Sequence, residues 1–411
     1  MRNSKRIVSI LATLALLCAL CGCTTYDNFR AAFIDKEKPE EAANELSAVR
    51  IGVLEPMSGE YAEAAADEVK GIELAHKLYP KVHGSDVELV YADNKSTVDD
   101  SVLAAQQLVE SGVSAVLGSY NSVLTLAASD VFEEAQMPAI AASCKNPLIT
   151  QTNDYYFRVC IVEAYQGISA AEYVYEGLGR NSMIVFKAAG DDYASTMTEQ
   201  LQMEMELLTG AKDSVKIFEY DPENEDPAAT VEKLASYKRK TVFFPGSAAA
   251  ADKYIKAAKE AGYAFDWIGP SLWEGMEQID PSADHSYLDG VAYIADYDPN
   301  AELSSMTEVF NTAWKDEYGA DATPSNAAAL GFDAYLVARA GLQDAGESAE
   351  NWQIRRALRA LTDFSAATGV ITMGNDGDPI KDVIVMQYSN GSATPVYTVK
   401  PVKGESEEEI Q

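Results

Sequence analysis

From Val49 onward, short apolar runs alternate with longer stretches of helical spacing. Val49 to Leu54, Val87 to Ala92, Val113 to Leu117 (closed by Gly118) and Met137 to Ala141 read as buried strands. A helical stretch follows each of the first three. The first reaches about Leu78, and the second sets Val102, Ala105, Leu108 and Val109 on one face. The third opens at Ser119-Tyr120-Asn121-Ser122 and runs to about Ala135. Four such βα units predict an α/β architecture with a parallel sheet covered on both sides. Tyr156 to Val162 is a further extended piece. The rhythm then repeats, with strands at Ser182–Phe186, Lys216–Tyr220, Thr241–Phe244 and Trp267–Ile268. Asn326 to Ala345 and Asn351 to Leu361 have helical spacing. About 350 residues exceed one core of ordinary size, so two lobes are expected.

The strand ending at Gly118 and the strand ending at Ala141 both run into polar loops. In an open parallel sheet, the ligand crevice lies outside the carboxyl ends of the strands. Ser122 would present a hydroxyl beside the unpaired N–H groups of a helix start, a natural seat for a carboxylate. On these residues alone, Ser119, Asn121 and Ser122 serve equally well as plain helix caps.

Gly118-Ser-Tyr-Asn-Ser122, followed by Pro138-Ala-Ile-Ala-Ala-Ser143 and Pro147-Leu-Ile-Thr150, resembles the periplasmic branched-chain amino-acid-binding proteins of ABC transporters. The likeness runs from about Val49 to about Val399. It continues in order through Tyr156-Phe-Arg158, Gln166-Gly167, Asp191-Asp-Tyr193, Trp273-Glu274, Asp289-Gly290-Val291, Ser325-Asn326, Gly331-Phe-Asp-Ala334, Gly369-Val-Ile-Thr372 and Gly377-Asp-Pro379. The resemblance implies two Rossmann-like lobes with parallel sheets joined by crossing strands, closing on a small molecule. It puts lobe one at 49–160 and 292–363, and lobe two at 161–291 and 364–400.

It also implies the ligand contacts. In lobe one these are Tyr61, Tyr120, Asn121 and Ser122, with backbone groups of the next loop, Ser143, Cys144 and Lys145, on the carboxylate. In lobe two Tyr193 and Trp273 would pack on the ligand body, and Glu274 would take an ammonium. The chain departs from the family at two points. Cys144 and Lys145 stand where a small residue and a threonine are usual, and Ser271 stands where an acid often follows the Gly269-type glycine. Lys145 would either reach an anion in the cleft or lie along its rim in water.

The remaining features bound the setting. Arg2, Lys5 and Arg6 precede the apolar Ile7–Ala19, as in an export signal over residues 1–22. Leu20-Cys-Gly-Cys23 resembles a lipobox, with Cys23 fitting the lipid-bearing position better than Cys21. Residues 23–48 read as a tether, and the acidic 401–411 as a solvated tail. The expected location is therefore extracytoplasmic, anchored to the cell membrane by lipid.

The chain carries 64 acidic against 32 basic residues, a net charge of -32; loss of Arg2, Lys5 and Arg6 with the signal takes it to -35. Such a surface repels nucleic acid. Cys144 and Cys160 form no disulfide framework, though export permits one bridge. His76, His83 and His285 have no metal-ligand spacing, and no glycine-rich phosphate loop or nucleophile elbow occurs. The expectation is a monomer without metal or cofactor, delivering an amino acid or similar polar solute to ABC permease subunits. A ligand sensor of the same fold and an exported enzyme are the alternatives.

Overall fold

The computed structural model describes residues 48–401. The expected signal, Cys23, most of the tether and nearly all of the acidic tail lie outside the described residues.

The first sheet is built from β1 (Val49–Glu55), β2 (Lys81–Val82), β3 (Ser85–Asp93), β4 (Ala115–Gly118), β5 (Ala139–Ala141) and β6 (Tyr156–Arg158). Their order is β2-β3-β1-β4-β5-β6, parallel except for the β2–β3 ribbon. Helices α1 (Ala62–Leu78), α2 (Val98–Glu110), α3 (Ser122–Glu134) and the short α4 (Leu148–Gln151) connect these strands. β1 is buried over its last five residues and apolar from Ile51 to Leu54, as a central parallel strand must be. Local chemistry starts the helices. Thr97 accepts from the Asp100 N–H to cap α2, and Asn121 accepts from the Val123 N–H to cap α3.

The second sheet holds β7 (Met183–Ala188), β8 (Val215–Tyr220), β9 (Thr241–Phe243), β10 (Asp266–Gly269) and β11 (Ala292–Ala295), plus the terminal pair β15 (Val383–Ser389) and β16 (Ser392–Val399). The order is β16-β15-β11-β10-β9-β7-β8, with β15 and β16 antiparallel at one edge. Helices α5 (Glu163–Glu172), α6 (Asp192–Thr209), α7 (Pro227–Ser236) and α8 (Ala248–Glu260) flank it. Helices α9 (Ser305–Tyr318), α10 (Asn326–Ala345) and α11 (Asn351–Arg359), with β12 (Phe364–Ala366), β13 (Gly369–Met373) and β14 (Pro379–Ile380), complete the described fold.

Two boundaries differ from the sequence reading. Residues from 292 were expected to lead back into lobe one, yet β11 pairs with β10 in the second sheet, Ile268 opposite Ala292. The chain crosses only after Ala295. Residues from 364 were expected in lobe two, but Ala366, Ala367, Ile371 and Met373 pack in the core of lobe one with α10. Asp333 of α10 is the cause. Its carboxylate, fully buried, accepts from the Ala367 N–H, the Thr368 N–H and the Thr368 hydroxyl, which pins this hairpin to lobe one. The chain regains lobe two at β15. Three segments therefore cross between lobes, near 159–162, 296–299 and 374–382.

Each lobe docks a helix by a glycine. A Cβ on Gly71 of α1 would lie 2.0 Å from the Ala328 carbonyl oxygen, and one on Gly331 of α10 would lie 2.1 Å from that of Glu68. In lobe two, Gly167 of α5 meets the Met197 carbonyl oxygen of α6 in the same way, at 2.2 Å. Close backbone approach demands the missing side chain. We expect Gly331→Ala to push α1 and α10 apart and to destabilise the protein by about 1–3 kcal/mol. Thermal unfolding measures this.

Candidate functional site

The carboxyl ends of β1, β3, β4 and β5 deliver their loops to one edge of lobe one. Asp93, closing β3, organises two of them: its carboxylate accepts from the Met57, Ser58 and Lys95 N–H groups and from the Ser58 hydroxyl, at 2.6–3.2 Å. The Tyr61 N–H donates to Ser96 Oγ at 3.0 Å, which seats Tyr61, half-buried, at the start of α1.

Beneath the β4 loop lies a pair of fully buried carboxyl groups, Glu55 at the end of β1 and Glu68 on α1. Glu55 Oε2 accepts the Tyr120 N–H at 2.7 Å, and Glu68 Oε2 accepts from the Ser143 hydroxyl. The second oxygen of each has no other partner among the described residues. One proton shared between them satisfies both. Burial, and for Glu55 also the charge of Glu68, pushes their titration above the usual carboxylate range.

The predicted residues separate on this frame. Ser122 opens α3, and its Oγ receives the Asn146 N–H at 3.4 Å, so the two expected loops do meet here. The Asn121 side chain is spent on capping α3. Tyr120 is half-buried, and burial together with Glu68 pushes its phenol up to about 12. The Ser143 hydroxyl is committed to Glu68.

The Cys144 side chain is buried in the lobe-one core, where Sγ donates to the Ser119 carbonyl at 2.8 Å, so it is the Cys144 backbone that borders the loop. Cys144 and Cys160 are both buried free thiols. Lys145 does turn inward: Nζ lies 2.6 Å from Asp296 Oδ2, with the lysine side chain 11% exposed and the aspartate fully buried.

In lobe two, Tyr193 begins α6 beside Gln166 of α5. The Gln166 Oε1 accepts the Ser271 N–H at 2.8 Å. Trp273 must be corrected. It is fully buried among Phe244, Tyr254, Met276 and Tyr388, with its indole N–H on the Gly246 carbonyl at 3.0 Å. The ring covers Gly269, where a Cβ would come within 2.0 Å of it, so its role is packing. Glu274 remains exposed and reaches across the cleft, where Oε1 accepts the Asn326 N–H at the start of α10 at 3.0 Å.

Several residues that hold the site were not singled out from sequence. Arg158, fully buried, donates to the Cys144 and Asn146 carbonyls at 2.9 Å each and meets Asp378 Oδ1 at 2.6 Å. Asp296 takes the Ile161 N–H at 2.8 Å and Lys381 at 3.2 Å as well as Lys145. Burial alone would raise Asp296; the two ammonium groups instead hold it down at about 2. Its visible signal was a charge closing an apolar run, Ala292-Tyr-Ile-Ala-Asp296, and Glu55 closes β1 in the same way. A cavity of about 510 Å³ bordered by Phe265, Trp267 and Val291 lies at the opposite, amino-terminal ends of the lobe-two strands.

Fold and site together define a two-lobed binding protein whose cleft is lined from both sides by strand-end loops. The chain belongs to the periplasmic binding protein family, whose model matches residues 48–393. It is 25% identical over 342 residues to the Leu/Ile/Val-binding protein homolog 3 of Brucella melitensis, covering 80% of this chain and 88% of the relative. Among solved structures it is similar to the leucine-binding protein LivK of Thermotoga maritima, with 26% identity, a TM-score of 0.73, and 86% and 99% of the two chains covered. The LivJ substrate-binding protein of Streptococcus pneumoniae, solved with isoleucine, matches with a TM-score of 0.70 and 24% identity over 86% of this chain and all of that one. The fold is thus the type I periplasmic-binding-protein fold, and its relatives are solute-binding proteins rather than enzymes.

Removing Asp296 would leave two buried ammonium groups facing each other. Asp296→Asn should cost about 3–5 kcal/mol, read as a lower urea midpoint.

Proposed function

We propose that this protein is a lipid-anchored, extracytoplasmic solute receptor that captures an amino acid or a similar small polar molecule between its lobes for an ABC importer. The observation that carries this reading is the meeting of strand-end loops from both sheets. The Ser122–Asn146 contact in lobe one and the Glu274–Asn326 hydrogen bond between lobes support a cleft with Tyr61, Tyr120, Ser122 and the Ser143–Lys145 backbone as one wall and Tyr193 and Glu274 as the other. The names of the relatives support an amino acid as the solute class.

In lobe one, Ser122 and the first N–H groups of α3 are the anion seat. Lys145 adds to it only through its field, since Asp296 occupies its ammonium. The charge that remains for the ligand in this lobe is thus smaller than a free lysine would give.

Protein stripped of ligand by unfolding and refolding should gain thermal stability from at least one member of a panel of L-amino acids and related small polar metabolites. A solute at a hundred times its dissociation constant adds ~2.7 kcal/mol. A panel that leaves the melting temperature unchanged overturns the reading.

The anchor rests on Cys23. Cys23→Ser should move the protein from the membrane fraction to the soluble one and abolish lipid labelling. Continued labelling of that variant, with loss in Cys21→Ser, would shift the modified residue to Cys21.

A further inference from the structure

We propose that Glu163 is the residue that holds the cationic group of the ligand, taking over from the acid that is missing at Ser271. The inference rests on the binding function proposed above. Glu163 is the first residue of α5, a ten-residue helix that begins as the chain enters lobe two. It is 5% exposed, and its carboxylate makes no hydrogen bond among the described residues.

Its oxygens are not among the sealed, unpartnered polar atoms, so this deeply set carboxylate still meets water and is open to a cation from the ligand. Two cations lie near it, and both are already taken. Lys145, whose carbonyl accepts the Glu163 N–H at 3.0 Å, spends its ammonium on Asp296. Arg158 spends its guanidinium on Asp378, Thr150 and two carbonyls. On the other side, Asp191 caps α6 through the Ala194 N–H and adds only negative charge.

The neighbours of Glu163 have few partners too. One turn along the same face of α5 lies Gln166, and beside it the buried hydroxyl of Tyr193; the two approach each other, and neither the Gln166 Nε2 nor the Tyr193 hydroxyl has another hydrogen-bond partner among the described residues. Gln166 Oε1 is the group that receives the Ser271 N–H. The loop in which the family carries its acid therefore rests on the helix that carries Glu163, and the negative charge has moved from one wall of the same corner to the other. A carboxylate, a phenol hydroxyl and an amide N–H together suit an ammonium flanked by hydrogen-bond acceptors, as in an α-amino acid.

The unpaired state has a pH signature. Burial first, with Asp191 adding to it and Arg158 and Lys145 opposing, brings Glu163 up to about 7. Its folded value exceeds its unfolded one, so the ligand-free protein loses stability as pH rises from the unfolded value through about 7. Glu163→Gln removes that loss.

The test combines binding and melting. Stripped wild-type protein, Glu163→Gln, and Glu163→Gln with Ser271→Glu are titrated with three probe sets. These are L-amino acids, the same acids lacking the amino group, and simple amines such as putrescine. Glu163→Gln should lose about ten- to a hundredfold affinity for the amino acid that wild type prefers, the range of a charged hydrogen bond. It should also lose the preference for that amino acid over its des-amino counterpart. The added Ser271→Glu should restore part of both. Without ligand, Glu163→Gln should match wild type at pH 5 and melt higher at pH 8.

Unchanged amino-acid affinity in Glu163→Gln overturns the inference, as does a lower melting point at pH 8, which would make Glu163 a structural partner of Lys145 and Arg158. If wild type ignores every amino acid, the amino-acid form of the transport reading fails first. Glu163 then stands only if wild type binds an amine that Glu163→Gln does not.

Discussion

A single buried carboxylate joins the three segments that connect the lobes. Asp296 lies on the second crossing, receives the Ile161 N–H from the first, and pairs with Lys381 from the third. Lys145, from the β5 loop, supplies its remaining contact. Lys381 in turn donates to the Val159 carbonyl at 3.2 Å and to Thr368 Oγ1 at 2.6 Å, and Thr368 donates to Asp333 of α10. The chain of contacts runs from the hinge into the core of lobe one. Hydrophobic packing would hold three strands together without fixing their register. Charged groups that lose several kcal/mol when any partner moves do fix it. The site loops depend on that register, because Lys145 belongs both to the hinge and to the loop beside Ser122.

The loops themselves are held from below by polar groups that water does not reach. Arg158 pulls the Cys144 and Asn146 carbonyls inward, and Glu55 takes the Tyr120 N–H. Backbone groups that a flexible loop would offer to solvent are thereby satisfied within the protein, so the ligand-facing surface is set before a ligand arrives. The Glu55–Glu68 pair achieves this with one negative charge in place of two, which limits the desolvation cost.

Much of this fold was legible in the sequence, and for a clear reason. Periodicity reports which face of an element is buried, and it located β1 and β3 to β10 within a few residues, while the two-residue β2 went unread. It carries no information on which sheet a strand joins. β11 and the β12–β13 hairpin were therefore assigned to the wrong lobes, since their partners are chosen by Asp333 and by edge pairing far away in sequence. The site divides similarly. Ser122 was named from a helix start and Tyr193 from the family's motif order, whereas Trp273 looks like a ligand contact until its neighbours are known. Trp273 fills the space above Gly269, and Cys144 turns into the core behind Ser119. Glu55, Asp296 and the proposed ligand partner Glu163 were lost among 64 acidic residues. A charge closing an apolar run marks the first two, and burial alone marks Glu163.

Closure of the cleft is where these constraints meet. Away from the crossings and the Glu163 N–H to Lys145 carbonyl bond beside the first of them, a hydrogen bond from the Asn326 N–H to Glu274 joins the lobes. It is charge-assisted and sits at a helix N-terminus, but Glu274 is exposed, so the contact contributes about 1 kcal/mol. That biases an open–closed equilibrium roughly fivefold. Moving such an equilibrium from nearly all open to nearly all closed takes about 5.5 kcal/mol. The latch supplies a minor part of this, and the rest must come from a ligand that touches both lobes at once. A solute held only by Ser122 would bind lobe one equally well open or closed, and would shift nothing. Selective closure therefore requires a second, lobe-two contact of comparable strength, and a buried charge in that wall is the strongest contact available to make it.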